Sequence, residues 1–482
     1  MFSPSFLPRI APVCLLLAAA PVAAQSEADS LREYELGEVV VGDRAESGAT
    51  PSTVQRIPLA EIDRLDAVSV AGAARLIPAA HVQTNSRGES LLYLRAAGER
   101  QVALFFDGAL LNVPWDNRLD LSLVPSPVVG TVTVAKGVPS VLWGANVLGG
   151  AVNMVSRGLG ADGAHTEVTA QGGSAAFRQG VVTHLGRRGG LSWVGSAGYA
   201  ERDGFALPDA ADLPYSQPDD DVRTNTDYRL ANGFGRVAYR FGSGARAGLS
   251  LLHVDGEKGI APESHVDPRV ERVRYWRYPL WRTTLAVASG EAPLGAATDL
   301  RGALWISRFR QDIAAYSSAA YDERSDLQED EDQTLGSRAV LQRRLRPVTL
   351  RLALNALTSE HHQQETTFRD DGAASAPALT YRQGLYSAGL EGEWAAQEGL
   401  RLSAGASLDA LTTPETGDKP VRDPFVDWGA TAGAVYRPAP RWTLTAALGR
   451  KTRFPTLREL FGEALQRFAL NPDLRPESSV LA

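Results

Sequence analysis

The sequence predicts an α+β domain followed by an antiparallel transmembrane β-barrel, and three observations carry that expectation. From residue 158 to residue 482, segments of about ten residues alternate apolar and polar side chains, the period of a strand with lipid on one face. The links between these segments alternate short and long, as in barrels that turn tightly on one side of the membrane and loop widely on the other. Residues 1–24 read as an export signal: Arg9, an apolar run over 13–20, then Pro21, Val22, Ala23 and Ala24 before Gln25. That run is too short to cross a bilayer as a mature helix.

Export bounds the chemistry. Cys14, the single cysteine, lies inside the signal, so disulfides and thiolate-ligated metals are excluded from the exported protein. Val13 stands where a lipoprotein signal needs Gly or Ala, so lipid attachment at Cys14 is not expected. With no second long apolar segment, the destinations are the periplasm and the outer membrane. A formal net charge of -7 does not suggest a nucleic-acid partner, and two methionines do not make a copper-binding surface.

Residues 25–50 form a polar linker holding Glu38, Val39, Val40 and Val41. Three valines between an acidic residue and Gly42 suit an ordinary buried strand, or a segment that adds to the edge of a partner's sheet. Residues 51–157 mix short strands with one helical stretch over 60–77, ending before Pro78. Strands are expected at 90–94, 102–106 and 129–134. Between them lie two polar loops, Asn85, Ser86 and Arg87, and Trp115, Asp116, Asn117 and Arg118. Arg87 and Arg118 read either as loop charges or salt bridges to a barrel wall, or as ligand contacts.

In the barrel region Val348, Leu350, Leu352, Leu354 and Ala356 share one face, against Thr349, Arg351, Ala353 and Asn355. Trp442, Leu444, Ala446 and Leu448 repeat the pattern. Trp428 and Tyr436 bracket Ala430, Ala432 and Ala434, and at the strand rise these rings are roughly 26 Å apart, near the height of a lipid-facing band between aromatic girdles. Short links fall at 187–190, 241–246, 345–347, 395–399 and 437–441, with a looser one at 289–298. Long polar segments fall at 201–227, 255–272, 311–333, 359–379, 411–427 and 451–477. The pattern yields roughly thirteen strands and the start of another.

The segment from Val132 to Arg157 ties the two regions to a known family. Its Lys136-Gly137 turn, Ser140, Gly144, the Gly149-Gly150 pair and Asn153 resemble the end of a TonB-dependent receptor plug domain, with Val138 and Pro139 departing slightly from the usual order. Leu94-Arg95 and Phe106-Asp107-Gly108 resemble two strands of the same domain, though Ala96 replaces the expected glycine. Residues 453–461 and 471–477 look like two late barrel motifs. The resemblance implies a plug inside a barrel of about twenty-two strands, so several strands are expected beyond residue 482, and the chain reads as C-terminally truncated. It implies the domains 1–24 signal peptide, 25–50 linker with a TonB box at Glu38, Val39, Val40 and Val41, 51–157 plug and 158–482 partial barrel.

The implied function is active uptake across the outer membrane, driven by the TonB protein of a TonB–ExbB–ExbD complex pulling on the box. The implied cargo is a scarce metal chelate, first a ferric siderophore, with cobalamin or haem as alternatives. The two plug loops are the implied ligand contacts. No covalent step is required, so neither an enzyme activity nor a cofactor is expected, and no catalytic motif stands in a supporting context. Haem receptors of the family often carry a histidine between the late motifs, and residues 456–470 hold none. His361-His362, expected in a long loop, and the acidic runs at 219–221 and 329–332 read either as solvated groups or as metal ligands. A non-transporting outer-membrane binding protein and a secreted soluble β-protein remain the other classes.

Overall fold

The computed structural model describes residues 53–482 except 96, 219–220, 440, 463–468 and 472. The export signal, the valine box at 38–41 and most of the 219–221 acidic run lie outside the described residues.

The N-terminal domain is built on β1 (Thr53–Pro58), the hairpin β2 (Ala80–Thr84) and β3 (Ser90–Leu94), then β4 (Val102–Phe106), β5 (Ala109–Leu110), β6 (Val129–Lys136) and β7 (Gly150–Ser156). Its main sheet runs β1-β6-β7-β4-β5, with β4 and β7 parallel and the remaining pairs antiparallel. Both β4 and β7 are buried along their whole length, which explains why β4 is apolar throughout and β7 is interrupted only by the buried Asn153 and the terminal Ser156, where alternation would mark a solvated face. The expected strands at 90–94 and 102–106 are found at those bounds. The single helical stretch expected over 60–77 is instead two short helices, α1 (Leu59–Asp63) and α2 (Val70–Ala73), followed by a 3-10 turn. Asp66 adopts a left-handed φ of 46° between them, which ends the first helix.

The barrel wall begins with β8 (Gly163–Gly172), β9 (Arg178–Arg188), β10 (Leu191–Arg202), β11 (Tyr228–Arg240) and β12 (Arg246–Gly259). It continues with β13 (Trp276–Pro293), β14 (Thr298–Tyr316), β15 (Arg324–Leu345), β16 (Val348–Arg369) and the short β17 (Gly372–Ser375) that folds back on β16. It ends with β18 (Leu379–Gln397), β19 (Leu400–Thr416), β20 (Phe425–Ala439), β21 (Trp442–Arg453) and β22 (Glu477–Leu481), with α3 (Leu457–Phe461) before the last strand. Apart from β17, each strand pairs antiparallel with its sequence neighbours, and β8 and β22 are not paired with each other. Among the described residues, the thirteen long strands and the short β22 match the number read from alternation.

Side chains obey the expected two-face rule. Leu350, Leu352 and Leu354 are exposed on the outside, while Arg351 and Ala353 are buried toward the plug. Trp428, Tyr436, Trp442 and Leu444 also face outward. Two boundaries differ from expectation. The segments 311–333 and 359–379 are largely strand, because β15 and β16 run 22 residues each. Crossing a bilayer takes about 9–11 tilted residues, so half of each strand stands clear of lipid and carries polar groups on both faces. The described residues contain no helix long and apolar enough to cross a membrane.

One continuous core joins plug and wall, including Ile57, Phe106, Val132 and Met154 of the plug with Leu185, Phe234, Leu252 and Trp281 of the barrel. Phe106 meets Phe234 edge to face, with centroids 5.7 Å apart. Charged side chains cross the same boundary: Asp107 faces Arg236 at 3.6 Å, with both buried. The Ser156 hydroxyl donates to Asp107 at 2.9 Å and accepts from Arg236 at 2.5 Å.

The turn between β6 and β7 docks deepest on the wall. The Ser140 hydroxyl donates to Glu391 at 2.6 Å, Arg338 donates to the Leu142 carbonyl at 2.7 Å, and the Asn146 amide donates to the Thr452 carbonyl at 3.1 Å. The glycine pair is required here. Gly150 has φ +148°, and a Cβ on it would lie 2.4 Å from the Ala135 carbonyl oxygen.

Candidate functional site

Both predicted plug loops lie at the end of the plug facing the long barrel loops. In the first, the Asn85 side-chain oxygen accepts from the backbone amides of Arg87 and Glu89 at 2.8 and 3.0 Å, and its amide donates to Glu89 at 2.6 Å. This Asx-type closure presents Ser86 and Arg87 at the tip. Beneath it, Lys258 of β12 donates to the Gly88 carbonyl at 2.9 Å and to Asp120 at 3.0 Å, while Asp120 accepts from the Ser90 amide at 3.0 Å. Lys258 is buried over the Trp281 ring at 3.9 Å, so the loop stands on a desolvated cation rather than on solvent.

At the tip, Arg87 and Arg274 both approach the Trp276 ring, at 6.0 and 5.4 Å from its centroid. Arg274 also donates to the Ser86 hydroxyl at 3.2 Å. A plug loop and a barrel segment thus form one surface carrying Trp276 and two arginines, of which Arg274 is also paired with Glu263.

The second loop is committed to internal contacts. Asp116 is buried among three arginines: Arg100 at 2.5 Å, Arg118 at 3.1 Å and Arg458 of α3 at 2.6 Å. Burial alone would lift its carboxyl, but Arg118, Arg458 and Arg100 together hold it below the usual carboxylate range. Arg118 also reaches Glu89 at 3.1 Å and so links the two loops. Asn117 takes a left-handed φ of 49° and donates to the Arg100 carbonyl at 2.8 Å. Trp115 stacks on His361 and accepts, through its carbonyl, the Arg458 amide at 2.9 Å.

Residue spacing had not singled out Arg100, Lys258, Arg274, Trp276 or Arg458. One local signal was available for the last. Thr456 and Glu459 form a capping box in which each side chain bonds the other's backbone amide, and the T-x-x-E spacing marks a helix start that presents Arg458. His361 lies on β16 and not in a loop, 1% exposed, with Asp330 and Asp332 buried opposite on β15. The solvated reading therefore fails for these residues, because they point inward above the lipid-facing half of their strands. His362 faces the other way, beside Glu360. Among the described residues no group of three or more His, Asp or Glu is arranged to hold a metal ion.

A plug sheet enclosed by an antiparallel wall with lipid-facing aliphatics defines a plugged transmembrane barrel. Residues 47–151 match the TonB-dependent Receptor Plug Domain. The chain is 26% identical over 199 residues to the vitamin B12 transporter BtuB of Photobacterium profundum, a match covering 41% of this chain and 31% of the relative. In architecture it is similar to the copper transporter OprC, with TM-score 0.72, 17% identity and coverage of 85% of this chain and 65% of that one. It is also similar to the ferric citrate transporter FecA in its unliganded form, with TM-score 0.71, 13% identity and coverage of 94% and 69%. Residues 47–151 thus carry the plug domain of TonB-dependent receptors, and the chain has the plug-and-barrel fold of the solved transporters it resembles.

Proposed function

We propose that this chain forms the plug and wall of an outer-membrane transporter that takes up an anionic ferric chelate of the siderophore class, energised by the TonB–ExbB–ExbD complex. The observation that carries the cargo reading is the pairing of Arg87 and Arg274 about Trp276, with Ser86 between plug and barrel. Guanidinium groups recognise carboxylate or catecholate oxygens by paired hydrogen bonds, and the indole offers a flat face to an aromatic chelator. Ser86 and Arg87 meet the ligand in this reading, Asn85 shapes their loop, and Trp115, Asp116, Asn117 and Arg118 hold the floor beneath. Glu38, Val39, Val40 and Val41 are the segment that TonB engages by strand addition.

Cobalamin is the second reading, and the similarity to a vitamin B12 transporter favours it. Uptake competition separates the two: excess ferric siderophore suppresses uptake if the first reading holds, and excess cobalamin does so if the second holds. Val40→Pro tests the energy coupling, because proline cannot complete an added strand. Uptake is expected to vanish while chelate binding at the cell surface persists. Unchanged uptake would remove the coupling, and a receptor that binds without transporting would be left.

A further inference from the structure

We propose that His361 is a proton-dependent positioning residue for the apical plug loop: its charged imidazole, held by Asp332 and Asp330, grips Trp115 and fixes residues 113–118 against the wall. The inference goes beyond uptake, since it concerns how plug and barrel engage before any ligand arrives.

The geometry is that of a clasp. The His361 and Trp115 rings are stacked with centroids 4.0 Å apart and planes 8° from parallel. Tyr381 closes one side, 5.0 Å from Trp115, and Phe461 of α3 stacks behind Tyr381 at 6.2 Å. The His361 Nδ1 lies 3.1 Å from Asp332 Oδ2, and its Nε2 lies 4.0 Å from Asp330 Oδ1 without a hydrogen-bond partner. Asp332 Oδ1 also has no such partner.

The charge balance gives the clasp its sign. Asp330 and Asp332 are 3% and 4% exposed, and Asp330 is otherwise held by the neutral amides of Gln311 and Gln328, each at 2.9 Å. Among the described residues no Lys or Arg pairs with either carboxylate. The other titratable groups nearby are Glu365 on β16, bonded by Gln363 at 3.1 Å, the Tyr381 phenol on β18, Asp116 on the plug loop and Arg458 on α3. The last two pair with each other, and Asp116 is shared with Arg100 and Arg118 as well. A protonated His361 therefore balances two buried carboxylates and places a cation on the Trp115 face. A neutral one leaves two buried negative charges side by side, which is costly. Docking of the loop favours the protonated ring, so by linkage the loop loosens as pH rises through the imidazole transition.

A cysteine-free version of the protein serves as the background, so that an introduced thiol reports alone. Pro114→Cys, at a buried position, and Val270→Cys, 79% exposed in a barrel loop, are labelled separately with an impermeant maleimide in isolated outer membranes. The Val270→Cys rate removes the intrinsic pH dependence of the thiol. Normalised labelling at 114 is expected to rise about fivefold between about pH 6 and about pH 9, and to stay within about twofold once His361→Gln is added. The emission difference between the native chain and Trp115→Phe should grow over the same range, because a charged imidazole quenches a stacked indole. A flat profile at 114 overturns the proposal, and so does a rise that His361→Gln leaves intact. Should His361→Gln fail to assemble, the emission difference decides alone, and pH-independent emission overturns the proposal.

Discussion

Arg458 and Asp116 are 342 residues apart in the chain and 2.6 Å apart in space. The contact joins α3, which follows the thirteenth barrel strand, to a plug loop laid down before the barrel begins. Its carboxylate also serves Arg100 and Arg118, so one acidic side chain sets the position of three cations from two domains.

Asp116→Asn keeps the shape of this side chain and removes its charge. Three clustered guanidinium groups are then left without their shared counter-ion, and breaking a buried pair by removing one partner costs about 3–5 kcal/mol. The effect should fall at the lower end, because Arg100 and Arg458 are 30% and 22% exposed and regain water. Limited proteolysis in detergent should show faster cleavage in residues 113–118 than in the native chain, with the barrel intact. Equal cleavage rates would mean that the loop is held by aromatic packing alone.

The same carboxylate gives an acid limit to plug docking. Its folded-state affinity for protons is depressed, so its contribution is fully present above the ordinary carboxylate pKa of about 3.9 and is lost as pH falls through the lower folded value. The Asp116 contribution to plug docking, read as the difference in urea extraction between the native chain and Asp116→Asn, should therefore be constant near neutrality and should fall away in the acid range. In Asp116→Asn the acid-dependent part should shrink. An unchanged acid profile in the variant would assign the sensitivity to other groups.

Gly389 on β18 is a point where the backbone of the plug turn presses against the wall. A Cβ there would lie 2.9 Å from the Val141 carbonyl oxygen and 3.3 Å from its carbon, a clash with backbone rather than with a movable side chain. Gly389→Ala should push the turn outward, strain the bond from Ser140 to Glu391 and cost about 1–3 kcal/mol. A lower urea midpoint for plug release, with unchanged heat resistance of the barrel, is the expected signature. If both fall together, the glycine serves the strand and not the docking.

The framework was legible because its signals are local. The barrel segments show their period in a few residues, strands 90–94 and 102–106 stand out as short apolar runs, and tight turns separate one segment from the next. The upper halves of β15 and β16 were not, since strand standing clear of lipid is polar on both faces and reads as loop. Arg87 and Arg118 could be picked out as basic residues in loops, and Asp116 stands two residues from Arg118, yet Trp276 on the barrel and Glu89 on the other plug loop come from elements whose proximity only folding creates. His361 was misplaced for the same reason: its burial depends on Trp115, 246 residues earlier by the numbering, meeting it across the plug boundary.

The outer face of the wall makes the last prediction. Leu354 is 52% exposed and Ala353 beside it is fully buried, so adjacent residues face lipid and plug. Leu354→Arg places a charge against hydrocarbon, which costs up to about 2–4 kcal/mol at the bilayer midplane and less toward the interfaces. Leu354→Phe keeps the face apolar and should assemble normally. The arginine variant should show reduced heat-resistant barrel in outer-membrane fractions, and the phenylalanine variant should match the native chain. Equal recovery of both would mean that this face meets water, and the assignment of the alternating strands to a membrane-spanning wall would fall with it.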